Sequence, residues 1–295
     1  MAIDIMYKLP SSSGAILIPS IVIIFSLLLW KKLAKTSNSE VVHPKDTVIF
    51  HQPGRGPFAP SLSPFVVKLE TYLRMAKIPY QNLHDSIRGS KGKIPWIEYN
   101  DVTIPDSQLI IEYLNKLRDV DLDKHLTEEQ QAVAVAFQRM VDEHTYWLMV
   151  INRWKYDSEM REFKLSNWSW LKLTIARWFV NSQTHQQGLG RHNKEEVMAI
   201  LNKDFHSLST YLGKKKYIFG DIPSELDSSI FGQLSQFRWH LPLSDITDLF
   251  QRYQNLDQYC QQMKNAFWPD WNDCVKYPVD ENSGIVKNKT NGTTF

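Results

Sequence analysis

The spacing of hydrophobic and polar positions changes character twice along this chain. The first run, Gly14 to Trp30, is apolar apart from Ser20 and Ser26 and carries no charge, and Lys31, Lys32 and Lys35 follow it. Its length sits at the short end of the roughly 17–25 residues needed to cross a bilayer. Trp30 suits the interfacial aromatic belt, and the three lysines form a basic flank. The pattern predicts an N-terminal transmembrane anchor at 14–30, with the following chain in the cytosol. A cleaved signal peptide is the competing reading. Against it, Lys8 before the run is offset by Asp4, and no small-residue cleavage pattern follows. Residues 1–13 then form a short tail and 31–46 a polar linker.

From Thr47 the period becomes that of a small mixed domain, 47–120. The segment Thr47 to Phe50 is β-branched and aromatic, which predicts a short buried strand. Prolines and glycines between His51 and Ser63 forbid regular structure there. Phe65, Val66, Leu69, Leu73 and Met75 then recur at helical spacing, with Ser63 at the N-cap and Pro64 at the first helical position. Pro79 stops that helix, and Tyr80 to Leu83 reads as a second strand. Trp96 to Tyr99 and Val102 to Ile104 predict a hairpin turning at Asn100-Asp101. A helix from Asp106 to Leu117 closes the domain.

After Asp121 the pattern is helical only, which predicts an all-α domain over 121–274. It opens on a long helix whose capping box is Thr127 with Gln130. Further helices are predicted over Lys194 to Leu212, Ser228 to Phe237 and Ile246 to Phe267. Residues 275–295 are polar and read as a disordered tail.

Composition narrows the function classes. A hydrophobic fraction of 43% and ten tryptophans describe a folded chain, and a net charge of +2 with no basic stripe argues against a nucleic-acid partner. Two cysteines, Cys260 and Cys274, fit neither a disulfide framework nor a metal knuckle. No metal site is expected, because soft metals want several thiolates together. Three glycosylation triplets, at Asn167, Asn288 and Asn291, speak for a lumenal chain and stand against the cytosolic reading set by the lysines.

Three motifs carry a resemblance. "LSPFVVKLETYL" is similar to a thioredoxin-type active-site helix, with Ser63-Pro64-Phe65 in the slot of Cys-Pro-Phe. "GKIPWIEYND" followed by "IPDSQLIIEYL" is similar to a cis-proline strand, hairpin and acidic-Ser helix start. "YIFGDIPSELDSSIFGQL" resembles a buried helix opened by a capping box, here Ser224 with Asp227. Together they resemble the glutathione transferase superfamily: a thioredoxin-like α/β domain followed by an all-α transferase C-terminal domain. The N-terminal apolar segment and "YQNLDQYCQQMKNAFWPDW" narrow this to the failed-axon-connections family, whose relatives are the metaxins and nematode cadmium-responsive proteins.

The resemblance implies glutathione as substrate. Bringing its thiol from about 8.5 to roughly 6.5 requires about 2.7 kcal/mol. A helix N-terminus and one hydroxyl donor supply part of that. Ser63 is the catalytic candidate, with a plain N-cap as its other reading; a serine there forms no mixed disulfide. Ile94 and Pro95, through a cis bond, would pair with the glutathione backbone. Asp106 and Ser107 would hold its γ-glutamyl end, or simply cap their helix. Tyr146, Arg153 and Trp154, on the long helix, would wall a second-substrate pocket, or pack the core.

Two functions follow. One is a membrane-anchored, non-catalytic or weakly catalytic protein-interaction role, which the resemblance connects with axon development. The other is an active transferase conjugating electrophiles or acting in stress and cadmium detoxification. Homodimerisation or other protein partners are compatible with both.

Overall fold

The computed structural model describes residues 44–85, 87–240, 244–280 and 285–286. The expected anchor at 14–30 and the sequons at Asn288 and Asn291 lie outside these residues. Among the described residues no helix is long and apolar enough to cross a membrane.

Four short strands form one sheet: β1 (Val48–His51), β2 (Tyr80–Leu83), β3 (Trp96–Tyr99) and β4 (Val102–Pro105), in the order β2-β1-β3-β4. β1 and β2 are parallel, whereas β3 is antiparallel to both β1 and β4. A parallel pair needs a crossover, and helix α1 (Pro64–Met75) supplies it. Helix α2 (Ser107–Arg118) lies beside α1. Val48, Phe50 and Ile97 of the sheet meet Val66, Leu69, Leu73, Ile110 and Leu114 in one apolar cluster. Alternate strand residues share a face, so Ile49, His51, Trp96 and Glu98 point to the opposite side.

Most of the rest is helical: α3 (Glu128–Arg139), α4 (Tyr146–Ile151), α5 (Arg161–Leu165), α6 (Trp170–Gln187), α7 (Lys194–Leu212), α8 (Glu225–Trp239), α9 (Asp245–Gln251) and α10 (Gln254–Phe267), followed by a short antiparallel pair, β5 (Val279–Asp280) with β6 (Ile285–Val286). The capping boxes Thr127–Gln130 and Ser224–Asp227 are both formed. The second is buried: Asp227 takes the amides of Ser224 and Ile218 and the hydroxyl of Tyr259. Burial raises the Asp227 pKa against these hydrogen bonds. The long helix expected from Thr127 is continuous but under-wound to π geometry at Met140–Thr145 and Asn152–Tyr156. Such bulges rotate the side chains that follow them.

The two layers join along α1 and α8. Gly232 makes this crossing possible, since a Cβ there would stand 2.6 Å from the Pro64 carbonyl and 2.9 Å from the Lys68 amide. Lys68 is buried at the seam, with its ammonium 2.6 Å from Asp142 and 2.9 Å from Gln108.

Three expectations need correction. The helix expected over 246–267 is two, broken at Arg252-Tyr253, where Tyr253 leaves helical geometry and its hydroxyl bonds Asn202. Helix α6 was not anticipated; its outer face is apolar, which hides the usual amphipathic period. The tail is ordered at its start: Val275 is buried, and the amides of Lys276 and Tyr277 donate to the carbonyls of Gly56 and Pro57.

Candidate glutathione site at one end of the α/β layer

Strand register collects the predicted residues at one end of the sheet. His51, the last residue of β1, is opposite Trp96, the first of β3, and Trp96 is opposite Pro105, the last of β4. The residue before Trp96 is Pro95, the residue after Pro105 is Asp106, and the chain leaving His51 leads to Ser63. Lys68 bonds Gln108, and Tyr72 bonds Asn115 seven residues on, so α1 and α2 run parallel with their N-termini together. Ser63, Pro95, Asp106 and Ser107 thus border the same end, where both helix dipoles present their positive poles.

The Ile94-Pro95 peptide is cis, as the sequence motif implies. Ile94 is half-buried and Pro95 buried. Asp106 adopts a positive φ of 77°, uncommon for a residue with a Cβ. Its carboxylate accepts from the amides of Gln108 and Leu109 at 3.0 and 3.3 Å, so one oxygen is engaged in capping. Ser107 is buried at 6% exposure.

Ser63 stands at the N-cap of α1 with extended backbone, but its hydroxyl makes no capping bond. Its amide instead donates to the Ser61 hydroxyl at 3.2 Å. The side chain is half-buried at a helix start without serving that helix. The geometry therefore weakens the plain-cap reading.

The loop from Gln52 to Leu62 is longer than a tight turn, yet pinned along its length. Glu70, fully buried on α1, accepts both Arg55 guanidinium nitrogens at 2.7 and 2.9 Å and also Gln52, Tyr80 and Asn82. Burial would raise the Glu70 carboxyl, but hydrogen bonds and charge from Arg55 outweigh it and hold it low. Further along, His240 Nε2 donates to the Ser61 carbonyl at 2.9 Å. Burial, assisted by the charge of Arg153, depresses that imidazole to about 3, so it is neutral.

The three pocket candidates divide. Tyr146 packs its ring on Phe65, centroids 4.9 Å apart, and so reaches the start of α1. Arg153 is 3% exposed and spent on internal partners: the Leu62 carbonyl at 2.9 Å, Gln236 at 3.0 Å and Glu162 at 2.8 Å. Trp154 is buried against Phe163 and Trp168. For Arg153 and Trp154 the expected pocket-wall position is corrected: both are core. Burial pushes the Glu162 carboxyl up to about 7 despite Arg153.

Glu70 and its cation set were missed by the sequence reading, as was His51. The latter stacks on Trp96 at 3.5 Å and pairs with Asp85 at 2.6 Å and Glu98 at 3.2 Å. The i, i+4 spacing of Glu70 and Arg74 on one helix was the available signal for Glu70, and His51 had none. Cys260 and Cys274 are both buried, and burial raises the Cys274 thiol to about 11, which leaves it unreactive. Among the described residues no group of three or more His, Cys, Asp or Glu side chains is placed to hold a metal.

Comparison with known proteins bears on the family and the fold. A glutathione S-transferase N-terminal domain model matches residues 64–160, and a glutathione S-transferase C-terminal domain model matches residues 201–263. The Drosophila melanogaster protein Failed axon connections is 33% identical over 82% of this chain and 63% of its own length. An isoprene-epoxide glutathione S-transferase from Rhodococcus is 31% identical, covering 59% of this chain and 80% of that protein. The chain belongs to the failed-axon-connections family of the metaxin and glutathione-transferase-like superfamily.

Mouse Metaxin-2 lies further off in this superfamily, at 21% identity over 69% of this chain and 81% of that protein. The chain spans less than two thirds of Failed axon connections itself. Among solved structures, a beta-etherase from Sphingobium superposes with a TM-score of 0.53 at 13% identity, covering 74% of this chain and 94% of that one. That likeness carries the fold: a thioredoxin-like α/β domain followed by a transferase-type helical domain.

Proposed function

We propose that this failed-axon-connections family member is a membrane-anchored, glutathione-binding protein that acts chiefly through protein contacts, with weak or no conjugating activity. The observation that carries this reading is a contrast. The glutathione end keeps its parts: a cis Ile94-Pro95 edge, an uncommitted Ser63 hydroxyl at a helix N-terminus, and Asp106 and Ser107 beside it. The second-substrate wall does not, because Arg153 and Trp154 are spent inside the core. Ile94 and Pro95 would take the peptide backbone, Asp106 the γ-glutamyl ammonium, and Ser107 with the α2 N-terminus its carboxylate. Ser63 would donate to the thiolate.

Residues 14–30 would anchor the chain in one bilayer, with the body on the cytosolic side of Lys31, Lys32 and Lys35. Its partners would be other proteins or a second copy, in keeping with its likeness to the metaxins.

An active transferase using Ser63 is the second reading. The free hydroxyl and the likeness to an isoprene-epoxide–glutathione S-transferase favour it. Conjugation of a chloronitrobenzene and of an epoxide by the full chain separates the two. Turnover indistinguishable from the uncatalysed rate supports the first reading. Clear turnover lost in Ser63→Ala establishes the second.

A further inference from the structure

Helix α6 turns its apolar face outward. Trp170 is 76% exposed, Leu171 54%, Ile175 60%, Trp178 75% and Phe179 52%. These residues are not scattered. An α-helix advances about 100° per residue, so 170/174/178 and 171/175/179 form two neighbouring ridges. Together they make an apolar strip two turns long on one side of the helix. The opposite side is the one that packs: Leu173 and Thr184 are buried, and Ala176 and Val180 rest on the core. A contiguous outward strip with two tryptophans differs from the single exposed leucines that every protein shows.

The charge around the strip indicates what it meets. From Phe163 to Lys194 the sequence holds five Lys or Arg residues and no Asp or Glu; Lys164 and Lys194 pair with Glu159 and Asp245 outside that stretch, and Lys172 and Arg177 are the cations on α6 itself. The chain as a whole is nearly balanced at +2, so this is a local excess. Lys172 lies within α6 itself, its ammonium 4.0 Å from the ring centroid of Trp168. An apolar, tryptophan-rich strip on a basic, acid-free segment is the signature of a helix lying in the plane of an anionic bilayer. Indole rings favour the headgroup boundary, where one edge is apolar and the other wet.

We infer that the outer face of α6, centred on Ile175 and Trp178, docks on the surface of a membrane carrying anionic phospholipid. This gives the body a contact of its own with the bilayer. The inference extends the membrane reading above, but it stands on α6 and not on residues 14–30, and its test separates the two.

Thr174 is exposed between Trp170 and Trp178 on the same ridge. In the full chain, Thr174→Cys carries an environment-sensitive fluorophore; Cys260 and Cys274 are buried and label poorly. The labelled protein is reconstituted in phosphatidylcholine vesicles, with and without about one third phosphatidylserine. Docking predicts a blue shift and about a two-fold or greater gain in emission with phosphatidylserine, reversed by salt. The added substitution Trp178→Asp removes it, with unchanged helix content by circular dichroism. Resistance to alkaline extraction reports on residues 14–30 alone and stays as it was. No shift in either vesicle overturns the inference, whether or not the chain resists extraction. An equal shift in both vesicles overturns the anionic requirement. A shift without lipid, rising with concentration and accompanied by a doubled mass, also overturns it, since a second copy would then cover the strip.

Discussion

Arg153 holds the carbonyl of Leu62 at 2.9 Å across 91 positions of sequence. The same guanidinium reaches Gln236 on α8 and pairs with Glu162 on α5. One buried cation therefore fixes the last turn of loop before Ser63 to two helices of the other layer. Removing it leaves Glu162 without its partner in the core. Arg153→Met is expected to destabilise the chain by about 3–5 kcal/mol, as breaking one side of a buried pair does. Arg153→Met combined with Glu162→Met should recover part of that loss, since both charges go together. Urea unfolding of the three proteins measures it.

Glu162 gives this pair a pH signature. Its folded pKa, about 7, lies above that of a free carboxyl, for which burial is the first cause. The folded state then holds more protons than the unfolded one between about 4.5 and 7. Stability from this group is full below that window and falls as pH rises through it. His240 acts in the opposite sense, being depressed to about 3, so the comparison must be with a variant of Glu162 alone. Stability of the wild type relative to Glu162→Gln should fall from pH 4.5 to 7.5. A relative gain over that range would show that attraction to Arg153 outweighs burial.

Gly232 tests the crossing of α1 over α8. A methyl group there meets backbone atoms of Pro64 and Lys68, which cannot swing aside as a side-chain tip can. Gly232→Ala should cost roughly 1–3 kcal/mol through overpacking, despite the better helix propensity of alanine. Because Pro64 adjoins Ser63, the same substitution should weaken any glutathione affinity. Thermal unfolding and ligand titration on one sample check both.

Much of this fold is written in short local patterns. Pro105 closes β4, Pro79 stands between the end of α1 and the start of β2, and the Thr127 and Ser224 boxes open their helices where the spacing says. The cis Ile94-Pro95 bond was legible through a motif, not through composition. What the sequence hid is long-range. Arg153 on a helix beside tryptophans looks like a pocket residue until Leu62, 91 positions away, takes its charge. Glu70 looks like a surface carboxylate until Arg55 and Tyr80 converge on it. Ser63 looks like an ordinary cap, and only the position of its hydroxyl shows that it makes no capping bond. The outward apolar strip of α6 defeats periodicity, which assumes that apolar faces turn inward.

Titration of the full chain with glutathione and with S-methylglutathione tests the central claim, that Ser63 and the Ile94-Pro95 edge form a thiolate-binding glutathione site. The account predicts saturable glutathione binding on the order of 1 mM or tighter. Ser63→Ala should weaken glutathione by about ten-fold, the worth of one charge-assisted hydrogen bond, and leave the S-methyl compound unchanged. Absence of saturable binding, or an equal loss for both ligands, would contradict it.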